Sequence, residues 1–450
     1  MIGQKECWRA AVAAASMLLL APLGGNARAQ GGANELIALR AGHALDVTTG
    51  ALTPDAVVLI HGERIEAIGS DLAIPAAVRT IDLGDSVLLP GLIDTHTHLL
   101  IRVYADGEAP TVDRDGLVTL DNPVLNESVP LRTVAAVDAA RSTLLAGFTT
   151  IRDCDSDGAE GADVAIRDGI ERGLIQGPRM QVSNMGLSIT GGLLDHVGFA
   201  HQIDIPPFGL LVDSSDGLVH EIRRQIKYGA DWVKIYATGT LRHLDPATME
   251  PLAQFDYDDL KRTVDEAARF RRPVVAHAYG GRAAADAIRA GVRSIEHGMM
   301  LDDDTLDLMV EHGTFWVPTL SVYVPETPRA QWSELTAKIV DLHRDAFKRA
   351  LPMGVRIAYG TDTKEHGTNA RELEIMVSYG MSPLRAIRSA TTVAAELMGM
   401  EADVGTLSPG KYADIIAVEA NPLEDIGVLR DVRFVMKGGV VVKEASSNGD

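Results

Sequence analysis

Apolar positions along this 450-residue chain follow two rhythms. From residue 35 to 89, short apolar or alternating runs at 36–39, 56–60, 64–68 and 86–89 are separated by Gly, Asp, Thr and Pro, which predicts β-strands joined by tight turns. The last fifty residues return to that rhythm, with runs at 413–419 and 433–442 flanking the turn region after Pro409-Gly410-Lys411. Neither stretch is long enough to enclose a core alone, so residues 30–90 and 400–450 are expected to fold together as one small β-sandwich.

Between them, over 91–399, strand-sized apolar runs alternate with amphipathic stretches, the signature of βα units around a buried parallel sheet. Strands are predicted at 92–96, 149–152, 179–183, 232–237, 273–277, 294–297, 314–319 and 356–361. Helices are predicted at 132–146, 161–172, 217–228, 258–270, 281–290, 303–312 and 335–351. Eight such strands predict an α/β fold of the (β/α)8 TIM-barrel type.

The first 29 residues break both rhythms. Lys5 and Arg9 precede an almost wholly apolar run at 10–23, and Ala27-Arg28-Ala29 has the small-x-small form of a cleavage site. Residues 1–29 are therefore expected to be a signal peptide, and the chain to be exported, periplasmic or secreted. The apolar run is shorter than the roughly 20 residues that span a bilayer, so no membrane attachment is expected after cleavage. Of the two cysteines, Cys7 falls in this segment, which leaves Cys154 without an internal disulfide partner. With 46% hydrophobic and 23% charged residues the composition is that of a globular enzyme, and a net charge of −20 argues against nucleic acid or an anionic membrane as partner.

Chemistry enters at the strand ends. Gly91-Leu92-Ile93-Asp94-Thr95-His96-Thr97-His98 runs an apolar strand into His-x-His, and the period of two in a strand lets both imidazoles reach one ion. The same spacing also occurs as two solvated loop histidines. His277 and His297 close two further predicted strands and Asp362 follows another, which puts metal-suitable side chains at the C-terminal ends where barrel active sites are built. Lys234 interrupts the apolar run Trp232-Val233-Lys234-Ile235-Tyr236-Ala237. A bare ammonium there is costly. Either it pairs with a carboxylate such as Glu296 or Asp362, or its amine is neutral and reacts with carbon dioxide to give a carbamate, an anionic ligand able to bridge two metals.

On these residues the chain resembles the amidohydrolase superfamily, in particular its binuclear members with a carboxylated lysine. Val404-Gly405-Thr406-Leu407-Ser408-Pro409-Gly410-Lys411 near the end has the same likeness. The resemblance implies His96 and His98 as ligands of one metal, Lys234 as a bridging N6-carboxylysine, His277 and His297 as ligands of a second metal, and Asp362 as both ligand and proton shuttle. It further implies two divalent ions, zinc by expectation, a homo-oligomer, and hydrolysis of an amide or dipeptide by a hydroxide bridging the metals. Gly147-Phe148-Thr149-Thr150-Ile151-Arg152-Asp153, Ile295-Glu296-His297-Gly298 and Gly360-Thr361-Asp362 look like the imidazolonepropionase-related branch, with its prolidase-like Xaa-Pro and Xaa-Arg/Lys dipeptidases and ochratoxinase-like amidases. One segment departs: such relatives read Thr-Gly-Gly-His, whereas this chain has Thr190-Gly191-Gly192-Leu193-Leu194-Asp195-His196.

Substrate contacts are open to two readings each. Tyr236 shares a face with Lys234 and either stabilises an oxyanion or fills the core. His196, His366 and Asn369 are either substrate contacts or solvated loop residues. Among other functions, a mononuclear deaminase has no need of Lys234. A lactonase or phosphotriesterase could use the same ligands but resembles a bare barrel, and a non-catalytic metal-bearing binding protein has no need of Asp362.

Overall fold

In this computed structural model residues 36–70, 72–101, 126–245 and 247–444 are described; the predicted signal peptide lies outside them. Among the described residues no helix is long and apolar enough to cross a membrane.

Both ends of the described chain enter one mixed sheet. Leu36–Leu45 pairs antiparallel with Leu52–His61, which pairs in turn with Arg64–Ser70. The first half of Leu36–Leu45 also lies parallel to Arg79–Asp82, and its second half to Val87–Pro90. Val87–Pro90 then pairs antiparallel with Ile415–Val418, which is followed by Phe434–Lys437 and Val440–Lys443. The eight strands are hydrogen-bonded as a single sheet, in which Leu36–Leu45 holds different neighbours along its two halves.

Period-two alternation buries this sheet on both faces. Leu88, Ile415, Ala417, Phe434 and Met436 join Leu39, Val58 and Ile60 in a core of the sheet's own. Their neighbours Val87, Leu89, Ile416, Val418 and Val435 turn the other way, into the large core shared with Phe148, Tyr359 and Leu429.

The remaining strands are parallel and alternate with helices. Leu92–Thr97, Phe148–Asp153 and Arg179–Val182 form one arc. The second arc runs in the order Leu210–Leu211, Leu187–Ser188, Val233–Tyr236, Val274–Gly280, Ser294–Met300, Phe315–Val317, Arg356–Ile357. The ladders do not close into one ring, but single hydrogen bonds cross both seams. Asp231 and Trp232 N–H donate to the Val182 carbonyl at 2.8 and 3.1 Å, and Thr95 N–H donates to the Tyr359 carbonyl at 3.0 Å. The arrangement is an α/β fold consistent with a TIM-type barrel.

Most helices start and stop where local chemistry directs. Ser214, Asp256, Asp302 and Ser333 accept from backbone N–H groups in the first turns of Ser215–Lys227, Tyr257–Arg269, Asp303–His312 and Glu334–Met353. Gly291, Gly313 and Gly354 take left-handed backbone at the C-caps. Two features escape the periodicity. The pairs Leu187–Ser188 and Leu210–Leu211 are too short to carry a pattern, and the predicted strand 356–361 is laddered only at Arg356–Ile357: Ala358 N–H still donates to Trp316 of the neighbouring strand, but Tyr359 N–H turns to the Ser389 carbonyl.

Phe434 is buried in the core that joins the two chain ends. Phe434→Ala should therefore cost about 3–5 kcal/mol. Urea unfolding followed by circular dichroism measures this, and a loss below about 1 kcal/mol would mean that the C-terminal strands are peripheral.

Candidate metal centre

The C-terminal ends of the parallel strands gather the predicted side chains. His96 lies in Leu92–Thr97 with His98 just beyond it, and their Nε2 atoms are 3.2 Å apart. Val233–Tyr236 contributes Lys234, and its parallel register sets Tyr236 beside His277 of Val274–Gly280. The next register sets His277 beside Glu296 and Ala278 beside His297 of Ser294–Met300. The rings of His277 and His297 are 4.5 Å apart, and those of His96 and His297 are 5.0 Å apart. Asp362 Oδ1 lies 3.4 Å from His98 Nε2 and 3.9 Å from His96 Nε2. His96, His297 and Asp362 thus offer ligand atoms that all lie within 4.8 Å of one another.

Backbone strain concentrates here. His297, Thr319 and Asp362 have φ of 70°, 50° and 52°, a left-handed region that costs a non-glycine residue on the order of 1–3 kcal/mol. At His297 the geometric consequence is visible. Adjacent residues of a regular strand face opposite sides, yet Glu296 and His297 both reach His96, because the chain leaves extended geometry between them.

Hydrogen bonds orient the imidazoles. His96 Nδ1 is 2.6 Å from Glu296 Oε2, and His98 Nδ1 is 3.0 Å from Asp157 Oδ2. A carboxylate only accepts, so each Nδ1 carries the proton and each Nε2 is turned toward the centre. His297 Nδ1 meets the Thr319 hydroxyl at 2.8 Å. Glu296 is balanced by Arg152 at 2.8 Å and by the Ser294 hydroxyl at 2.5 Å. Burial, reinforced by Lys234, holds His96 and His277 well below the usual histidine range. Burial acts in the same direction on His98, but Asp157 and Asp362 outweigh it and push its pKa up to about 9.

Lys234 is 1% exposed and forms no ion pair among the described residues; its ammonium lies 5.0 Å from the centroid of the Tyr236 ring. Of its two proposed carboxylate partners, Glu296 is engaged by Arg152, Ser294 and His96, and Asp362 faces the histidines. The Tyr236 hydroxyl donates to Asp155 Oδ2 at 2.8 Å. His196 lies in the loop after Leu187–Ser188 with its ring 4.3 Å from that of Phe208. His366 is half-buried in the loop after Asp362, and from that loop it is Asn369 that reaches inward, to Asp94.

Sequence reasoning missed Asp94, Arg152, Asp155 and Asp157, and named Glu296 only as a partner for Lys234. Asp-Cys-Asp-Ser-Asp at 153–157 was the one local signal, a run of carboxylates directly after a strand. Cys154 also comes within 4.8 Å of His96 and Glu296 ligand atoms. That trio does not suit a metal, since burial pushes the thiol up to about 12 and Arg152 already claims Glu296.

The inward set does suit divalent cations. Two Nε2 atoms whose Nδ1 protons are committed to carboxylates face each other and a third carboxylate. His277 Nε2 is buried with no hydrogen-bond partner among the described residues. Imidazole nitrogen and carboxylate oxygen are a common ligand pair for zinc and related ions.

Comparison with known proteins agrees with this chemistry. The amidohydrolase family model matches residues 87–442. Ochratoxinase from Aspergillus niger is 34% identical over 419 residues, 86% of this chain and 83% of its own, and its crystal structure superposes with a TM-score of 0.76 over 92% of this chain and 96% of its own, at 29% identity. A Xaa-Pro dipeptidase solved with methionine in its active site gives a TM-score of 0.78 at 32% identity, covering 91% of this chain and all of its own. Imidazolonepropionase from Acinetobacter baumannii is 25% identical over 384 residues, 81% of this chain and 87% of its own. With a family model that spans most of its length and an inward cluster of histidines and carboxylate to match, this chain belongs to the amidohydrolase family.

Proposed function

We propose that this chain is a hydrolase of amide-type C–N bonds, acting on a dipeptide or N-acyl amino acid, with two divalent metals, zinc by preference, held inside a (β/α)8 barrel. What carries the reading is the convergence of His96, His98, His297 and Asp362 beside a buried Lys234 that pairs with no carboxylate among the described residues. The neutral Lys234 amine would add carbon dioxide at its nitrogen and release a proton to solvent, giving an anionic two-oxygen ligand. His96 and His98 would then serve one metal, His277 and His297 the other, with Lys234 between them. The metals supply Lewis acidity, which polarises the scissile carbonyl and brings the pKa of water toward neutrality.

The side chains do the remaining work. Asp362, with its side chain 16% exposed, is the member of the cluster that opens toward solvent, so its carboxylate can take a proton from the attacking water. The same carboxyl returns that proton to the leaving nitrogen, which departs poorly as an anion. Glu296 and Asp157 hold the histidines in one tautomer throughout. The ochratoxinase and Xaa-Pro dipeptidase likenesses favour an amide substrate over a lactone or phosphotriester. Removal of 1–29 and export, followed by homo-oligomer assembly of the mature chain, complete the reading.

A metal-reconstituted screen of N-acyl amino acids, dipeptides ending in Pro, Arg or Lys, aromatic amides, lactones and phosphotriesters tests the substrate class. Turnover of lactones or phosphotriesters alone would overturn it. Chelation should abolish turnover and added zinc restore it. Asp362→Asn should lower kcat by about 10³-fold or more, and near-normal kcat would remove Asp362 from the mechanism. Lys234→Ala should reduce bound metal from two ions to one or none per chain by atomic emission; an unchanged metal content would mean that the lysine bridges nothing.

A further inference from the structure

The reaction leaves several fully buried carboxylates near the centre unused, and Asp94 is one of them. Asp94 lies two residues before His96 in Leu92–Thr97 and is completely enclosed. Both its oxygens are occupied. Oδ1 accepts from His96 N–H at 3.1 Å and Thr361 N–H at 3.2 Å, and Oδ2 accepts from the Thr361 hydroxyl at 2.7 Å and the Asn369 side-chain amide at 2.8 Å. Four neutral donors leave no lone pair directed at a metal or a substrate, and no Lys or Arg pairs with Asp94 among the described residues. It is therefore neither ligand nor base.

Its donors, however, come from the segments that fix Asp362. Thr361 is gripped through both its N–H and its hydroxyl, and the next residue, Asp362, has φ of 52° while its own N–H donates to the His96 carbonyl at 2.8 Å. Asn369 closes the loop behind them, because its side-chain oxygen accepts from Gly367 N–H at 3.1 Å and its carbonyl accepts from the Tyr359 hydroxyl. A left-handed aspartate persists only where its surroundings over-determine it. Three of these restraints, two on Thr361 and one on Asn369, pass through one carboxylate on the strand that also carries His96.

We propose that Asp94 is a positioning residue that locks Asp362 in its left-handed conformation and so sets the placement of its carboxylate against His96 and His98. The inference rests on the proton-carrying role of Asp362. Asp94→Asn keeps the shape but sets an amide N–H2 against donors on one side or the other. It should lower kcat by roughly 100-fold with KM within about threefold, the effect of a small misplacement rather than of lost binding. In an Asp362→Asn background the same change should cost little more, because the two residues act as one unit. The exchange Asp94→Asn with Asn369→Asp restores an acceptor opposite a donor and should recover most of kcat. The crystal structure of the single variant should show Asp362 released from positive φ. Should Asp94→Asn fail to fold, Thr361→Val, which removes the 2.7 Å bond to Asp94 and the 3.3 Å bond that the same hydroxyl accepts from Thr363 N–H, carries the same expectations in weaker form. If Asp362→Asn abolishes turnover while Asp94→Asn or Thr361→Val leaves kcat intact, multiplies the loss in the double variant, or leaves Asp362 unmoved, the positioning role falls alone. If Asp362→Asn itself keeps turnover, the underlying mechanism falls instead.

Discussion

The contact between His96 Nδ1 and Glu296 is the constraint on which the centre depends. A neutral imidazole can present either nitrogen, and only a fixed acceptor on one side decides which lone pair faces inward. Glu296 decides it for His96, but a buried carboxylate is itself costly unless it is answered. Arg152 answers it and does more. The guanidinium donates to the Thr95 carbonyl, the Ser294 hydroxyl and Glu296, so it ties the strands Leu92–Thr97, Phe148–Asp153 and Ser294–Met300 together from inside, while stacking 4.5 Å from the Trp232 ring. One charge network therefore orients a ligand and joins the two arcs of strands.

Against that rigid floor, strain is placed where chemistry needs an exception. His297 and Asp362 leave extended backbone at the ends of their segments, and each is held by bonds that begin on other strands. Trp316 Nε1 donates to the His297 carbonyl at 2.9 Å and Thr319 holds its ring, while the strand carrying His96 grips the Thr361–Asp362 step. Local conformational cost is thus offset by long-range hydrogen bonds that the packed helices keep dry.

This division explains what the sequence revealed. His96, His98, Lys234, His277 and His297 were legible because period-two alternation and strand ends are local rules, readable within five or six residues. Asp94 was as visible as His96, yet nothing nearby says that its donors lie at Thr361 and Asn369, more than 260 residues away. Glu296 and Arg152 were hidden for the same reason. The strands at the two chain ends were legible by alternation, but which of them pair depends on the split pairing of Leu36–Leu45, a register that periodicity does not specify. His196 shows the limit from the other side, since a histidine in the long connection between Leu187–Ser188 and Leu210–Leu211 has no period to place it, and its ring settled against Phe208.

The inward cluster and the Gly191-Gly192-Leu193 segment stand on different kinds of structure. The inward cluster stands on strands, whose geometry tolerates little change. The segment that departs from its relatives, Gly191-Gly192-Leu193, is on a connection, held by bonds to backbone rather than by side-chain identity. Leu193 N–H donates to Gln254, and Arg242 from the excursion after Val233–Tyr236 reaches the carbonyls of Gly192, Leu193 and Asp195. Because these restraints engage main-chain atoms, the side chain at 193 is free to differ without disturbing the loop.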